Sequence, residues 1–257
     1  MTSVNTIRAT AWASNLLYRH ARPLYTALYD TYKRVTEGAA LAVIARCVHP
    51  DDRVIDVGAN IGFYSEVLAR RVGAGGHVHA FEPDASNFAT LAARARAYPQ
   101  IEAVQAAVAE RSGRIELFLS PHLNIDHRTY PTDEPRRQMT VDAIALDDFF
   151  AAAETVVHFV KIDIQGAERA ALLGMRRLLA RSPAVRILME LWPAVHDRFG
   201  GGAAALLELL ESLGFEVWRL GPRGTLDEQL HPASELERAD PDAYFDVLCV
   251  RPDIAPH

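Results

Sequence analysis

Carboxylates stand in or just after the apolar runs of this chain, where an α/β protein presents chemistry. Asp56 lies within Val54–Val57, Glu82 follows Val78-His79-Ala80-Phe81, Asp163 follows Val160-Lys161-Ile162, and Glu190 closes Val185–Met189. Ligands of open α/β sheets collect outside the carboxyl ends of the strands, so these acids are expected around one site. There a carboxylate can accept hydrogen bonds from hydroxyls, orient a cation or take up a proton. Histidine adds a proton acceptor tuned to neutral pH. His127 falls in a polar stretch, and His196 comes shortly after Glu190-Leu191-Trp192. Asp163, His127 and His196 are candidate general bases, and Glu190 and His196 are expected to border the pocket.

The turn after the first run narrows the ligand. It reads Asp56-Val57-Gly58-Ala59-Asn60-Ile61-Gly62, and Glu82 follows about twenty residues on. A glycine turn leading into a helix, with an acid at the end of the next strand, is how doubly wound proteins hold a nucleoside. Glycine lets the backbone approach the ligand, and the acid accepts from both ribose hydroxyls. A dinucleotide turn would read GxGxxG and seat a pyrophosphate on the helix N-terminus. Here asparagine replaces the middle glycine, and Asp56 would repel a pyrophosphate. That combination suits a ligand with a cationic amino-acid part, such as S-adenosyl-L-methionine (SAM).

These residues need an alternating frame to hold them. Strands are predicted at Val54–Val57, His77–Phe81, Ile101–Gln105, Arg114–Leu119, Gln138–Ile144, Val156–Asp163, Val185–Glu190, Phe215–Leu220 and Tyr244–Val250. Helices are predicted at Tyr64–Arg71, Ala85–Ala97, Gly166–Leu179 and Ala203–Leu213, the last with Leu206, Leu209, Leu210 and Leu213 on one face. Asp147 is expected to cap a short helix through Phe149 and Phe150. Such alternation implies a mostly parallel sheet covered on both faces. Residues 4–20 and 23–47 read as helices broken at Pro23, with Trp12, Leu16, Leu17, Tyr25, Leu28, Tyr29 and Tyr32 forming an apolar stripe. The division expected is a helical cap over 1–49 and one domain over 50–257. Residues 120–137 are polar and carry Pro121, Pro131 and Pro135, the composition of a functional loop.

Bulk properties exclude some classes. The chain has 257 residues, 49% of them apolar, and a net charge of -6. That fits one sizeable soluble domain and argues against a nucleic-acid binder, which is usually basic. Cys47 and Cys249 are the only cysteines, too few for a disulfide framework, so a reducing cytoplasm is the expected compartment. No apolar run is long enough to span a membrane, and no secretory signal is expected. The start carries Arg8, Arg19 and Arg22 before its first acid, Asp30, which is compatible with peripheral membrane contact. A homo-oligomer is also compatible with the sequence.

The turn Asp56–Gly62, Glu82, Lys161-Ile162-Asp163-Ile164-Gln165-Gly166-Ala167-Glu168 and Met189-Glu190-Leu191-Trp192 together resemble the FkbM-type SAM-dependent methyltransferases, within the Rossmann-like class I methyltransferases. The resemblance covers roughly residues 50–220 and extends to the loop Asn124–Tyr130. It implies a seven-stranded, mostly parallel sheet with an antiparallel C-terminal strand. It also implies SAM as methyl donor and a hydroxyl of a sugar, glycan or secondary metabolite as acceptor. By that resemblance Asp56, Gly58, Asn60 and Gly62 line the methionine end, Glu82 binds the ribose, and Ala107 lies at the adenine. Asp163 is expected both at the cofactor and, with His127 and Glu190, in catalysis. Asp126, His127, Arg128, Tyr130, Trp192 and His196 are expected at the acceptor. Asp163, Glu190 and a loop residue could also build an oxygen-rich Mg²⁺ site, but their spacing does not require one, and no metal ligand is assigned. N- or C-methylation on the same scaffold and a non-catalytic SAM-binding module are the alternatives.

Overall fold

The computed structural model describes residues 18, 21–119, 137–151, 154–199, 201–232, 234, 236 and 244–254. Two helices come first, α1 (Arg22–Thr36) and α2 (Gly38–Cys47). Strands and helices then alternate: β1 (Arg53–Val57), α3 (Phe63–Val72), β2 (His77–Phe81), α4 (Ala85–Ala95) and β3 (Ile101–Val104). Three short-loop strands follow, β4 (Ala107–Val108), β5 (Gly113–Leu119) and β6 (Arg137–Ile144), then α5 (Leu146–Phe149). The second half contains β7 (Phe159–Ile162), α6 (Glu168–Leu173), α7 (Arg176–Ala180), β8 (Arg186–Leu191), α8 (Pro193–Phe199) and α9 (Ala203–Ser212). It closes with β9 (Glu216–Leu220), β10 (Leu226–Leu230) and β11 (Phe245–Val250).

Among the described residues the main sheet runs β10-β9-β11-β8-β7-β1-β2-β3. β3, β2, β1, β7 and β8 are mutually parallel, while β11 inserts antiparallel between β8 and β9. Strand order reverses between β2 and β7 on either side of β1, which opens a crevice above their carboxyl ends. The period of two sorts each strand between two cores. Val54, Val78, Leu188 and Leu248 face a layer made by Val43 and Ile44 of α2, Leu68 of α3 and Leu91 of α4. Ile55, Val160, Ile187 and Val247 face Leu172 of α6, Leu178 of α7 and Leu206 and Leu210 of α9. Both cysteines are free and buried, Cys47 in the first core and Cys249 in the second.

The seven strands expected for the main sheet are present, and β10 extends its edge. Its sequence Leu-Asp-Glu-Gln-Leu is half polar because an edge strand wets one face, so it lacks an apolar signature. The predicted Arg114–Leu119 and Gln138–Ile144 strands pair antiparallel in a separate sheet with β4. The helix expected over 23–47 breaks at Glu37 ahead of Gly38, and that over 166–179 breaks at Gly174-Met175. A Cβ on Gly174 would lie 2.0 Å from the Ala109 carbonyl oxygen, so this break is packed tightly against the second sheet. Asp147 does not cap α5, whose N-cap is Ala145. Its carboxylate instead accepts from Arg177 N (3.0 Å) and Leu178 N (2.8 Å) and caps α7. The predicted helix 4–20, Tyr18 apart, and the loop 120–136 lie outside the described residues.

Candidate active site

One half of the crevice is made by backbone. The chain leaves β1 at Gly58 with φ 80°, and the N–H groups of Gly58 and Ala59 both donate to Phe81 O, at 3.1 and 2.9 Å. A Cβ at residue 58 would sit 2.0 Å from the Asp163 carbonyl oxygen, so only glycine lets the ends of β1 and β7 meet here. Asn60 takes φ 51°, a conformation asparagine tolerates, and its Oδ1 accepts from Ile61 N at 2.7 Å. Glu82 closes the turn from the neighbouring strand. Its Oε2 accepts from Asn60 N and its Oε1 from Asp84 N, both at 2.9 Å. A carboxylate offers about four acceptor positions, so ligand hydroxyls still find acceptors on it. Burial pushes the Glu82 carboxyl up to about 7. Phe81, Ala106, Ala107, Val108 and Leu117 add an apolar wall to a cavity of about 330 Å³.

The other half is made by charged side chains. Lys161 and Asp56 are register partners on β7 and β1, both turned toward α3. The Lys161 ammonium lies 3.2 Å from Asp163 Oδ2 and 4.4 Å from the centroid of the Tyr64 ring, a cation–π contact. Burial works against its charge, yet Asp163 and Asp56 hold its pKa above the usual lysine value. Burial likewise works against an ionised Asp163, but Lys161, Lys33 and the Gln165 hydrogen bond bring it down to about 2. The Gln165 amide donates to Asp163 Oδ1 at 2.9 Å and to Glu190 Oε2 at 3.1 Å. Glu190 pairs across the sheet with Asp246 of β11. Burial, then Asp163 and Asp246, push Glu190 up to about 9; burial, then Glu37 and Asp163, push Asp246 to about 7.

Helix α1 roofs this charged half. Glu37, at its end, accepts from Lys33 Nζ and from the Tyr64 hydroxyl, each at 2.8 Å. Tyr29, Tyr32, Trp192 and Tyr244 bring aromatic surface to the same cavity. The helix is tied down at its start, where the Tyr18 hydroxyl donates to Asn87 Oδ1 (2.9 Å) and Arg22 to Ser86 O (3.0 Å). Midway, Arg94 of α4 bridges Asp30 at 2.6 Å and Glu66 at 2.8 Å.

The model of the methyltransferase FkbM domain matches residues 56–217, more than half of the chain. The chain belongs to the FkbM methyltransferase family. Its family match spans the glycine turn, Glu82 and the Lys161–Glu190 wall, and leaves out α1, α2 and Asp246. Among solved structures, the methyltransferase FkbM of Methylobacillus flagellatus KT is 21% identical with a TM-score of 0.47 over 77% of this chain and 43% of its own. The chain thus spans less than half the length of that protein. A candidate rRNA methylase of Clostridium thermocellum is 11% identical with a TM-score of 0.52, over 86% and 96% of the two chains. A SAM-dependent O-methyltransferase of Thermotoga maritima is 14% identical with a TM-score of 0.47, over 85% and 65%. No curated protein matches the chain.

Of the residues singled out in this FkbM-family sequence, Gly58, Asn60, Glu82, Ala107, Asp163, Glu190 and Trp192 line one cavity. Asp56 does not reach its wall. It is fully buried, accepts from the Ser65 hydroxyl at 2.6 Å, and lies behind the wall on the face it shares with Lys161. Gly62 (φ 87°) starts α3 and packs on Leu91. His196 is a correction: α8 turns its ring inward, fully buried, 3.3 Å from Glu168 Oε2. Burial lowers its pKa to about 4 and raises that of Glu168 to about 7, so the expected acceptor contact and base role are not found there. Glu168 instead accepts from Ile164 N and Gly166 N, both at 3.2 Å, and shapes the turn that aims Gln165. Asp126, His127, Arg128 and Tyr130 lie outside the described residues. Gln165 spans Asp163 and Glu190, and among the described residues no metal-binding group of three acids, histidines or cysteines converges. Lys33, Glu37, Tyr64, Lys161, Gln165, Tyr244 and Asp246 were not anticipated. Of these Lys161 carried a signal: two residues before Asp163 in a strand, it had to share a face with it.

Proposed function

We propose that the chain is a SAM-dependent methyltransferase acting on a hydroxyl of a small molecule, sugar or glycan. The observation that carries this reading is the junction of Gly58 and Glu82: a turn kept bare by its contact with β7, beside a buried carboxylate at the next strand end. Such a junction suits a nucleoside, with Glu82 toward the ribose and Ala107 beside the base. Asp163, held ionised, is placed to attract the cationic amino-acid end. The donor supplies a methyl group on a sulfonium, which leaves to the acceptor oxygen while the bonding pair stays on sulfur.

The chain's own residues decide where the hydroxyl proton goes. A carboxylate held near pKa 2 is a weak proton acceptor, so Asp163 fits orientation better than base catalysis. Glu190, in the same cavity with its pKa pushed up to about 9, is the stronger acceptor once ionised. Glu37, Asp163, Glu190 and Asp246 crowd the acceptor side, and with a net charge of -6 they disfavour a phosphate-bearing partner such as RNA. Buried free thiols at Cys47 and Cys249 fit a reducing cytoplasm. Titration calorimetry with SAM tests the donor assignment: a Kd in the micromolar range is expected, and no heat at about 100 μM cofactor would overturn it.

A further inference from the structure

We propose that Glu190 and Asp246 work as a carboxylate pair that keeps one proton until a cation enters the cavity, so that Glu190 becomes a proton acceptor only when the methyl donor is loaded. Asp246 lies beyond the family match, at residues 56–217. The inference rests on SAM being the ligand of this cavity.

Geometry carries it. Glu190 and Asp246 are direct partners on adjacent antiparallel strands, so their side chains rise from the same face of the sheet. Glu190 lines the main cavity, and both residues line a polar void of about 20 Å³ behind it. That void is large enough for one water molecule to carry a proton between them. Neighbouring cations are already engaged: Lys33 pairs with Glu37 at 2.8 Å, and Lys161 with Asp163 at 3.2 Å. Glu190 instead receives the neutral Gln165 amide. The groups facing the pair are Lys33 and Glu37 from the α1 side, Tyr64 of α3, Lys161 and Asp163 of β7 and its turn, Glu168 of α6, and Tyr244 beside β11. Acids outnumber bases there, and two carboxylates set side by side resist double ionisation. Their upward shifts, to about 9 and about 7, agree with this crowding.

A sulfonium is a fixed cation, and its demethylated product is neutral. Entry of the cation favours the ionised pair: a carboxyl O–H breaks, its electron pair stays on oxygen, and the proton goes to solvent. On transfer the acceptor hydroxyl gives its proton to the carboxylate so formed.

Proton release on binding reads this out without any acceptor. Titration calorimetry at pH 7.5 in buffers of different ionisation enthalpy should show SAM releasing more protons than S-adenosyl-L-homocysteine, by up to about one per site. Glu190→Gln should remove the difference. Asp246→Asn should shrink it, because one of the acids that hold the proton on Glu190 is gone, and retained S-adenosyl-L-homocysteine affinity shows that the variant is folded. Titration of the ligands' own amino groups cancels between wild type and variant. Equal proton counts for the two ligands, or a difference that survives both substitutions, would overturn the inference alone. Failure of either ligand to bind wild type would bring down the donor assignment and the inference with it.

Discussion

The two halves of the cavity are built on opposite plans. Around Gly58 and Glu82 the wall is backbone, held by short-range turns and hydrogen bonds at about 3 Å between neighbouring strand ends. Around Asp163 and Glu190 it is charged and titratable side chains drawn from α1, α3, β7, β8 and β11. The first plan fixes a shape and tolerates little change in volume. The second fixes a charge balance, which a single proton alters. The family match contains Gly58 and Glu82 of the first half and Lys161, Asp163 and Glu190 of the second, and omits Lys33, Glu37 and Asp246.

The largest effect is expected where the charge balance is buried. Lys161→Met removes the cation that acts most strongly on Asp163 and Asp56, leaving them only Lys33, and should cost about 3–5 kcal/mol of stability, read as a lower denaturant midpoint. A loss under about 1 kcal/mol would show that water reaches these acids and that the charged half is not closed. Gly58→Ala attacks the other plan. With φ 80° and a carbonyl 2.0 Å from the added Cβ, it should cost about 2–4 kcal/mol and abolish SAM binding, measured by calorimetry. An alanine variant that still binds would detach the cofactor from this turn. Glu82→Ala should weaken SAM binding by about 1–3 kcal/mol, with little change at the acceptor half.

Acidity separates the halves further. Glu82, Glu168, Asp246 and Glu190 all have folded-state pKa values above the ordinary carboxylate range, at about 7, 7, 7 and 9. Each binds its proton more tightly when folded, so its contribution is complete below the ordinary carboxylate pKa and lost as pH rises through the folded value. Thermal stability should therefore decline from about pH 5 to about pH 9. Glu190→Gln should flatten the segment between pH 7 and 9 and make the lower segment shallower, where Glu82, Glu168 and Asp246 still contribute. His196, lowered to about 4, has the opposite sign and costs stability only as pH falls from the ordinary histidine value toward 4. The smallest effect is expected at Tyr32, 58% exposed at the cavity mouth: Tyr32→Ala should change stability by less than about 0.5 kcal/mol.

Legibility followed the same division. The Gly58 turn, Glu82 and the Asp163 junction were readable because each is a contiguous stretch whose spacing matches a local geometry. Lys33, Glu37 and Asp246 were not, because nothing local says which helix face roofs a crevice or which antiparallel residue lands opposite Glu190. Asp147 and His196 show the same limit from the other side. Both have the residue type for the role expected of them, a cap and a pocket wall, yet tertiary packing gives one to α7 and buries the other against Glu168. A seven-stranded sheet with an antiparallel C-terminal strand was implied by the family resemblance, whereas β10 was invisible because an edge strand needs no apolar run.

The placement of the two thiols gives the molecule a built-in clock for each side of its sheet. Cys47 is carried by α2, directly after the helix that roofs the acceptor half, and Cys249 lies within β11 under α9. An alkylating probe reaches each only when its own layer opens, and layers of a domain open with different free energies. If Cys47 is alkylated well before Cys249, the layer of α2, α3 and α4 opens independently of the layer under α9.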